Sequence, residues 1–245
     1  MCCRFLIPAL VGVILMVTGG SASAADPSSA ADSPGVLTAT ATGLPGPVDP
    51  ANFVTKIDNP WFPLTPGTTL TYEGTKDDKR AVRVSAVTSS TKVVEGVTCV
   101  VVEDKVSLAG SPSEKALAYY AQDRQGNVWL LGEDSQEIEH GRVVKNEGWQ
   151  AGVDGALPSF FMEAAPTVGH SFSHEYTNND FEVVSLSESV KVPYGSFVDV
   201  LLTKEWSPQE PDVLTHKYYA RGLGEVRDVT VKGPLEEFLL VRAAR

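Results

Sequence analysis

Two glutamates are the residues of this chain whose types and spacing could do chemistry. Glu73 and Glu175 occupy equivalent places in two similar stretches of sequence that are compared below. Two carboxyl groups that face one another can divide the roles of general acid and general base, as in a hydrolase. Asp154 is a further candidate for such chemistry. The alternative is that each carboxylate faces solvent or accepts local hydrogen bonds.

Histidine and cysteine spacing does not favour a metal centre. His170 and His174 fall on one face of a predicted strand, about 13 Å apart at about 3.3 Å per residue, which is too far for one metal ion. The segment 123–127 lacks the alternating acidic ligands of a calcium loop. Cys99 aligns with Val198 in the second similar stretch, so we expect a small core residue there. The sequence therefore predicts no metal ion and no cofactor, and it contains no recognisable set of catalytic residues.

Aromatic side chains are the candidates for contacting a ligand. The candidates are Trp61, Phe62, Tyr120, Trp129, Trp149 and Tyr219. An apolar concavity lined by such residues would suit a lipidic or aromatic molecule. A large exposed apolar patch without a cavity would instead indicate a structural or interaction module of the cell surface.

The N-terminal segment has the pattern of an export signal. Arg4 precedes an apolar run over residues 5–17, and Ala-Ser-Ala at 22–24 is a small-residue cleavage site, which predicts cleavage after Ala24. The apolar run is too short to span a bilayer. Residues 25–50 are rich in small residues and proline and predict a disordered leader. We therefore expect a soluble exported protein that stays in the cell envelope or leaves it.

The net charge limits the kinds of partner that the protein can bind. The formal net charge is −11 at pH 7, and no run of Lys or Arg offsets it. Phosphate backbones and anionic lipid surfaces attract clustered basic residues, so the balance argues against nucleic acid as a partner. A small apolar molecule or a component of the envelope remains, and the oligomeric state is open.

Alternation of polar and apolar residues predicts strands from Thr68 onwards, within one β-domain over residues 51–240. Blocks of the first half recur in the same order in the second half, at offsets of 102, 99 and 98 residues. The Tyr-Tyr-Ala at 119–121 and at 218–220 belongs to one such block. We interpret residues 66–134 and 168–232 as two tandem β-meander repeats, with a Gly-rich connector over 135–167.

The predicted fold class is mainly β with little helix. The repeats form an antiparallel curved sheet, or a barrel or sandwich, because one repeat alone would leave an apolar face in water. Asp49-Pro50 predicts the start of a short helix. Three prolines within residues 57–68 exclude regular structure, so this segment is predicted to be a rigid plug on the sheet.

Several of these stretches carry a resemblance to known proteins. They are residues 58–64 (Asp-Asn-Pro-Trp-Phe-Pro-Leu), 126–129, 132–134, 151–155 and 217–220. Together they resemble an uncharacterised family of exported bacterial proteins, a resemblance that implies no functional residues. Residues 192–197 and the Tyr-Tyr-Ala hairpin are also similar to periplasmic domains shaped like lipoprotein carriers, which implies a curved antiparallel sheet with an apolar concave face.

The sequence therefore predicts a secreted, non-enzymatic β-protein that binds a ligand or an envelope component. A surface interaction module and a secreted hydrolase with paired carboxylates remain as alternatives.

Overall fold

The computed structural model describes residues 48–174 and 179–245. The predicted signal peptide, nearly all of the predicted leader and Glu175 lie outside these ranges. The predicted short helix is a single 3-10 turn, Pro50–Asn52. Asp49 caps this turn, because its carboxylate accepts a hydrogen bond from the backbone amide of Ala51 at 3.0 Å. The remainder is almost entirely antiparallel strand, which confirms the predicted fold class.

Fourteen strands follow one another within the described residues. They are β1 (Phe53–Val54), β2 (Thr69–Lys76), β3 (Lys79–Val94), β4 (Val97–Leu108), β5 (Ser111–Asp123), β6 (Val128–Glu139), β7 (Arg142–Gln150), β8 (Ser159–Met162), β9 (Ser171–His174), β10 (Asn179–Val192), β11 (Gly195–Ser207), β12 (Glu210–Ala220), β13 (Gly224–Lys232) and β14 (Glu237–Ala244).

The strands form one curved, unclosed sheet in the order β7-β6-β5-β4-β3-β2-β14-β13-β12-β11-β10-β9. Each half of this order is a meander whose consecutive strands are neighbours. The halves meet where β2 pairs with β14, from Thr69↔Ala244 to Thr75↔Glu237. β1 and β8 pair with β5 and β6 beside this path. The derivation of the two halves from tandem repeats stays a prediction.

Two-residue loops fix the register of the first half. In the loop between β3 and β4, Glu95 and Gly96 both have positive φ, 46° and 81°. Two left-handed residues in a two-residue loop match the twist of the strands that they join. The loops at 77–78, 109–110 and 140–141 share this feature.

The inner face of the sheet is the face on which side chains from both halves meet. Tyr120 and Leu130 of the first half share one core cluster with Leu201 and Tyr219 of the second. The predicted plug covers this cluster, since Trp61 and Leu64 are buried within it. Cys99 is completely buried in a separate cluster on the outer face, which confirms its prediction as a core residue.

Both long hairpins bend before their tips. The register between β3 and β4 shifts between Val87 and Thr91, and that between β10 and β11 shifts between Glu188 and Val190. A register shift inserts extra residues into one strand and increases its local bend. At the tip of the second hairpin, the backbone amide of Tyr194 donates to the carbonyl oxygen of Leu240 in β14 at 3.0 Å.

The prediction of a connector over 135–167 is wrong, because this segment contains the end of β6 and all of β7 and β8. Among the described residues, β7 pairs with β6 alone, and its Val143 and Val144 are both exposed. A strand that is largely exposed at the edge of a sheet needs no alternation of apolar and polar residues. The strand therefore left no periodic signal in the sequence.

Candidate functional site

Polar and charged side chains stand on the inner face among buried apolar residues. In β3, Arg83 and Ser85 share a face with the buried Ala81 and Val87. In β4, Asp104 shares a face with the buried Val102. Side chains two apart along a strand lie on one face, so these polar groups are held against the core by the same backbone geometry.

Arg83 is the centre of a buried ion network. Its Nη2 donates to the Glu225 carboxylate, and its Nη1 lies 3.4 Å from Oδ2 of Asp228. The guanidinium carbon lies 4.2 Å from the ring centroid of Tyr72 and 5.1 Å from that of Phe238. Burial opposes the charge most strongly, but Glu225, Tyr72, Asp228 and Asp104 together outweigh it and raise the pKa of Arg83. The guanidinium is therefore a permanent buried cation.

Asp104 lies beside this network without a cation of its own. It makes no direct ion pair in the part of the chain that the structure describes, because Arg83 is taken by Glu225 and Asp228. Burial raises the pKa of Asp104 to about 6, and the field of Arg83 opposes the shift. Near neutral pH this carboxyl is therefore poised between its charged and neutral forms.

A cavity of about 50 Å³ opens above these groups. Its floor includes Arg83, Ser85 and Asp104, and Glu225 and Tyr72 also line it. The Tyr72 hydroxyl donates to the backbone carbonyl of Glu225 at 3.0 Å, which fixes that wall. A water needs about 10–15 Å³ measured in this way, so the cavity holds a few waters or a small polar group.

The roof of the cavity is the proline-rich plug. Phe62, Pro63 and Leu64 line the cavity from above, and Phe62 contacts the rings of Tyr120 and Phe161 at centroid distances of 5.2 and 4.6 Å. The partly exposed Phe62 and Pro63 leave an apolar rim at the mouth.

One buried side chain holds the roof in place. The Asn59 carboxamide oxygen accepts from the backbone amides of Trp61 and Phe62, at 2.9 and 3.1 Å. Its nitrogen donates to the carbonyl oxygens of Gly126 and Glu163, at 2.9 and 3.0 Å. Two of these hydrogen bonds lie within the plug, and the other two tie the plug to two separate loops of the sheet.

Further ionisable groups continue along the inner face. Lys217 pairs with Glu205 at 2.7 Å, and Lys76 pairs with Glu114 at 2.8 Å. Burial raises the pKa of Glu205 to about 7. It also raises the pKa of Glu133 well above its usual range, and one Glu133 oxygen is buried without a hydrogen-bond partner. Acidic groups outnumber basic ones on this face.

Aromatic rings from β6, β8, β9 and β10 pack against one another between the two ends of the sheet. Phe160 of β8 contacts Trp129 of β6 and Phe172 of β9, both at 5.0 Å between centroids. Phe172 stacks on Phe181 of β10 at 5.3 Å. A second cavity of about 10 Å³ lies behind these rings and is lined in part by Tyr219. It is too small for anything beyond a single water.

The structure brings two of the six predicted aromatic residues together at the main cavity, namely Phe62 and Tyr120. Trp61 is buried beside it, under the guanidinium of Arg221 at 4.2 Å. Trp149 is buried in the core, and Trp129 donates from its ring nitrogen to the Asp123 carboxylate at 2.9 Å.

The predicted carboxylates lie away from the cavity. Glu73 is exposed and pairs with Arg80 at 2.9 Å. Asp154 is exposed in a turn at 151–155 with a φ of 51°. Because Glu175 lies outside the described residues, a pair of carboxylates across the two halves stays a prediction.

The sequence prediction missed the polar floor of the cavity, which is formed by Arg83, Ser85, Asp104 and Glu225. A signal for one of them was present. Asp104 interrupts a run of apolar residues at every second position, Val100-x-Val102-x-Asp104-x-Val106. A charge on the buried face of a strand is rare unless it is paired or functional.

Among the described residues, no group of His, Cys, Asp and Glu side chains has the arrangement of a metal site. The same part of the chain contains no helix that is long and apolar enough to cross a membrane.

The fold and the cavity define the chain as an open antiparallel β-sheet protein with a polar pocket under an aromatic roof. A scan against models of protein families finds no match, and a search of curated proteins also finds none.

Two solved structures are similar to the chain. One is a "putative exported protein with YmcC-like fold" from Bacteroides fragilis, at 15% identity and a TM-score of 0.42, covering 76% of this chain and 99% of that one. The other is a "putative lipoprotein" from Parabacteroides distasonis, at 12% identity and a TM-score of 0.40, covering 75% and 98%. Both likenesses are too distant to carry a function, and the resemblance to exported and carrier families stays a prediction.

Proposed function

We propose that this chain is an exported, non-enzymatic protein of the cell envelope that binds a small, partly apolar molecule in the cavity beneath residues 57–68. The observation that carries the proposal is the cavity itself, which combines a polar floor with an apolar, partly exposed rim. Pockets of this composition orient a ligand through a few polar groups and gain affinity from apolar contact. The export pattern of residues 1–24 supports the location.

The size of the cavity limits the part of the ligand that is enclosed. An engineered cavity of about 150 Å³ holds benzene, which corresponds to about 25 Å³ per non-hydrogen atom. A volume of about 50 Å³ therefore encloses a group of about two such atoms. The rest of the molecule would lie on the rim formed by Phe62, Pro63 and Leu223. A whole lipid chain would require the roof to move outwards.

The surroundings of the candidate carboxylates favour binding over hydrolysis. Glu73 is exposed on the surface beside Arg80. Among the carboxylates that line the cavity, that of Glu225 already accepts a hydrogen bond from Arg83.

The test compares the mass of the mature chain under native and denaturing conditions after purification from an exporting host. We expect a small mass that is lost on denaturation. Ser85→Leu places a larger side chain in the cavity and should abolish this mass, whereas Ser89→Leu, at an exposed position of the same strand, should retain it. Identical masses in both conditions for the unsubstituted chain would overturn ligand binding and favour a surface interaction module.

A further inference from the structure

We propose that the polar end of the ligand is a positively charged amine, which enters the cavity and contacts Asp104. This inference rests on the proposed binding function and specifies the class of molecule: a small organic ammonium ion carried on an apolar body.

The first argument is charge. Three carboxylates, Asp104, Glu225 and Asp228, surround one guanidinium, that of Arg83. Both terminal nitrogens of Arg83 are directed to Glu225 and Asp228, so the negative charge of Asp104 is not neutralised by a direct partner. A cation in the cavity would supply that partner and would be held more strongly than in water, because the site is buried.

The second argument is the nature of the walls. Aromatic rings of Tyr72, Tyr120 and Phe161 line the cavity, and ring faces attract cations. The molecule already uses this attraction nearby, since Arg83 lies over Tyr72 and Arg221 lies over Trp61, both at 4.2 Å. An anionic ligand would meet the same rings and the Asp104 carboxylate, and the terminal nitrogens of Arg83, which also lines the cavity, are already directed to Glu225 and Asp228.

The third argument is the pKa of the carboxyl that the cation would contact. Burial raises the pKa of Asp104 to about 6, although the field of Arg83 and a hydrogen bond with Ser85 oppose the shift. An ammonium group beside it favours the charged form, so binding and ionisation of Asp104 would support one another. The size of the cavity agrees, because an aminomethyl group has two non-hydrogen atoms and an attached ring could rest on the rim at Phe62.

The experiment titrates the mature chain at pH 7.5 with three probes of similar shape: benzylammonium, benzyl alcohol and benzoate. Binding is followed by chemical shifts of the protein amides. We expect benzylammonium to bind about tenfold more tightly than benzyl alcohol, the size of one charge-assisted hydrogen bond. Benzoate should bind more weakly than either.

Two variants locate the effect. Asp104→Asn keeps the shape of the side chain and should remove the advantage of benzylammonium over benzyl alcohol. Glu103→Gln removes the neighbouring carboxylate, which pairs with Lys105 and Lys115, and should leave the advantage intact. Thermal melting checks that both variants are folded. If Asp104→Asn does not fold, Ser85→Leu must abolish benzylammonium binding by filling the cavity.

Equal affinities for benzylammonium and benzyl alcohol would overturn the inference while leaving the binding function in place. Tighter binding of benzoate, or an unchanged preference in Asp104→Asn, would do the same. If none of the probes binds, the cationic ligand is also rejected. The mass comparison described above then decides separately whether the cavity binds any molecule.

Discussion

Replacement of Arg83 by methionine tests whether the buried ion network holds the inner face together. The change removes the cation and keeps an apolar stem of similar length. It strands the carboxylates of Glu225 and Asp228, both of which are buried. Removal of one partner from a buried ion pair costs about 3–5 kcal/mol, because the remaining charge has lost its compensation.

The neighbouring rings change this figure only slightly. Arg83 lies over Tyr72 and Phe238, an attraction worth about 2 kcal/mol when it is shielded from water. The methionine sulphur regains about 1 kcal/mol of it through its own contact with the rings. We therefore expect Arg83→Met to lower the free energy of unfolding by about 4 kcal/mol, measured by urea titration with tryptophan fluorescence.

Arg80→Met is the matched control, because Arg80 lies on the same strand but is largely exposed in its pair with Glu73. An exposed pair contributes at most about 1 kcal/mol. The double variant Arg83→Met with Glu225→Gln should recover part of the loss, because it removes one of the stranded charges. A loss in Arg83→Met no larger than that in Arg80→Met would refute the reasoning.

The same variant should also change the pH dependence of stability. Burial raises the pKa of Asp228 to about 6 even though Lys217 and Arg83 oppose the shift. Without Arg83 the folded-state pKa rises further above the unfolded value of about 3.9. A raised carboxyl pKa gives stability that is complete below the unfolded value and is lost as the pH rises through the folded value. Urea titrations at pH 5, 6.5 and 8 should therefore show a steeper loss for Arg83→Met than for the unsubstituted chain, and parallel curves would contradict this.

Two further substitutions test the roof of the cavity and the pairing of β2 with β14. Asn59→Ala breaks four hydrogen bonds, one buried and three partly buried, and should lower the free energy of unfolding by about 3 kcal/mol. Asn146→Ala, at an exposed position, should change it by less than about 0.5 kcal/mol. Gly74→Ala would place a Cβ 1.6 Å from the carbonyl oxygen of Glu237 in β14, so β2 and β14 must move apart. We expect the free energy of unfolding to fall by about 3 kcal/mol. Gly195→Ala, whose Cβ would meet only the Phe197 ring at 3.7 Å, should be nearly neutral. Thermal and urea denaturation measure all four, and equal losses within either pair would contradict the assignment.

Much of the fold could be predicted from the sequence because its strands alternate. The hairpin around Gly96 and the buried position of Cys99 follow from local patterns of valine and glycine. The edge strand β7 could not be predicted, because a strand that is exposed over most of its length has no apolar period. The joining of the two halves by the β2–β14 pair depends on contact between residues far apart in the sequence, for which no local pattern exists.

The candidate site was predicted only in its apolar half. Phe62 and Tyr120 were recognised as aromatic residues that could meet a ligand, and both line the cavity. The floor was missed because charges in a strand usually face solvent. Only the three-dimensional register places Asp104 and Arg83 opposite residues of β13, a strand from the other half of the chain.

The pairing of β2 with β14 has a consequence for the order in which the molecule can assemble. Thr75 meets Glu237, so the middle of the sheet is made from strands at opposite ends of the described chain. Each meander can collapse by itself through contacts between neighbours, but the two remain unjoined until β14 is present. Contacts of such long sequence separation are slow to form, and until then β2 exposes an unsatisfied strand edge. Until β14 is available, the sheet therefore stays open at its centre.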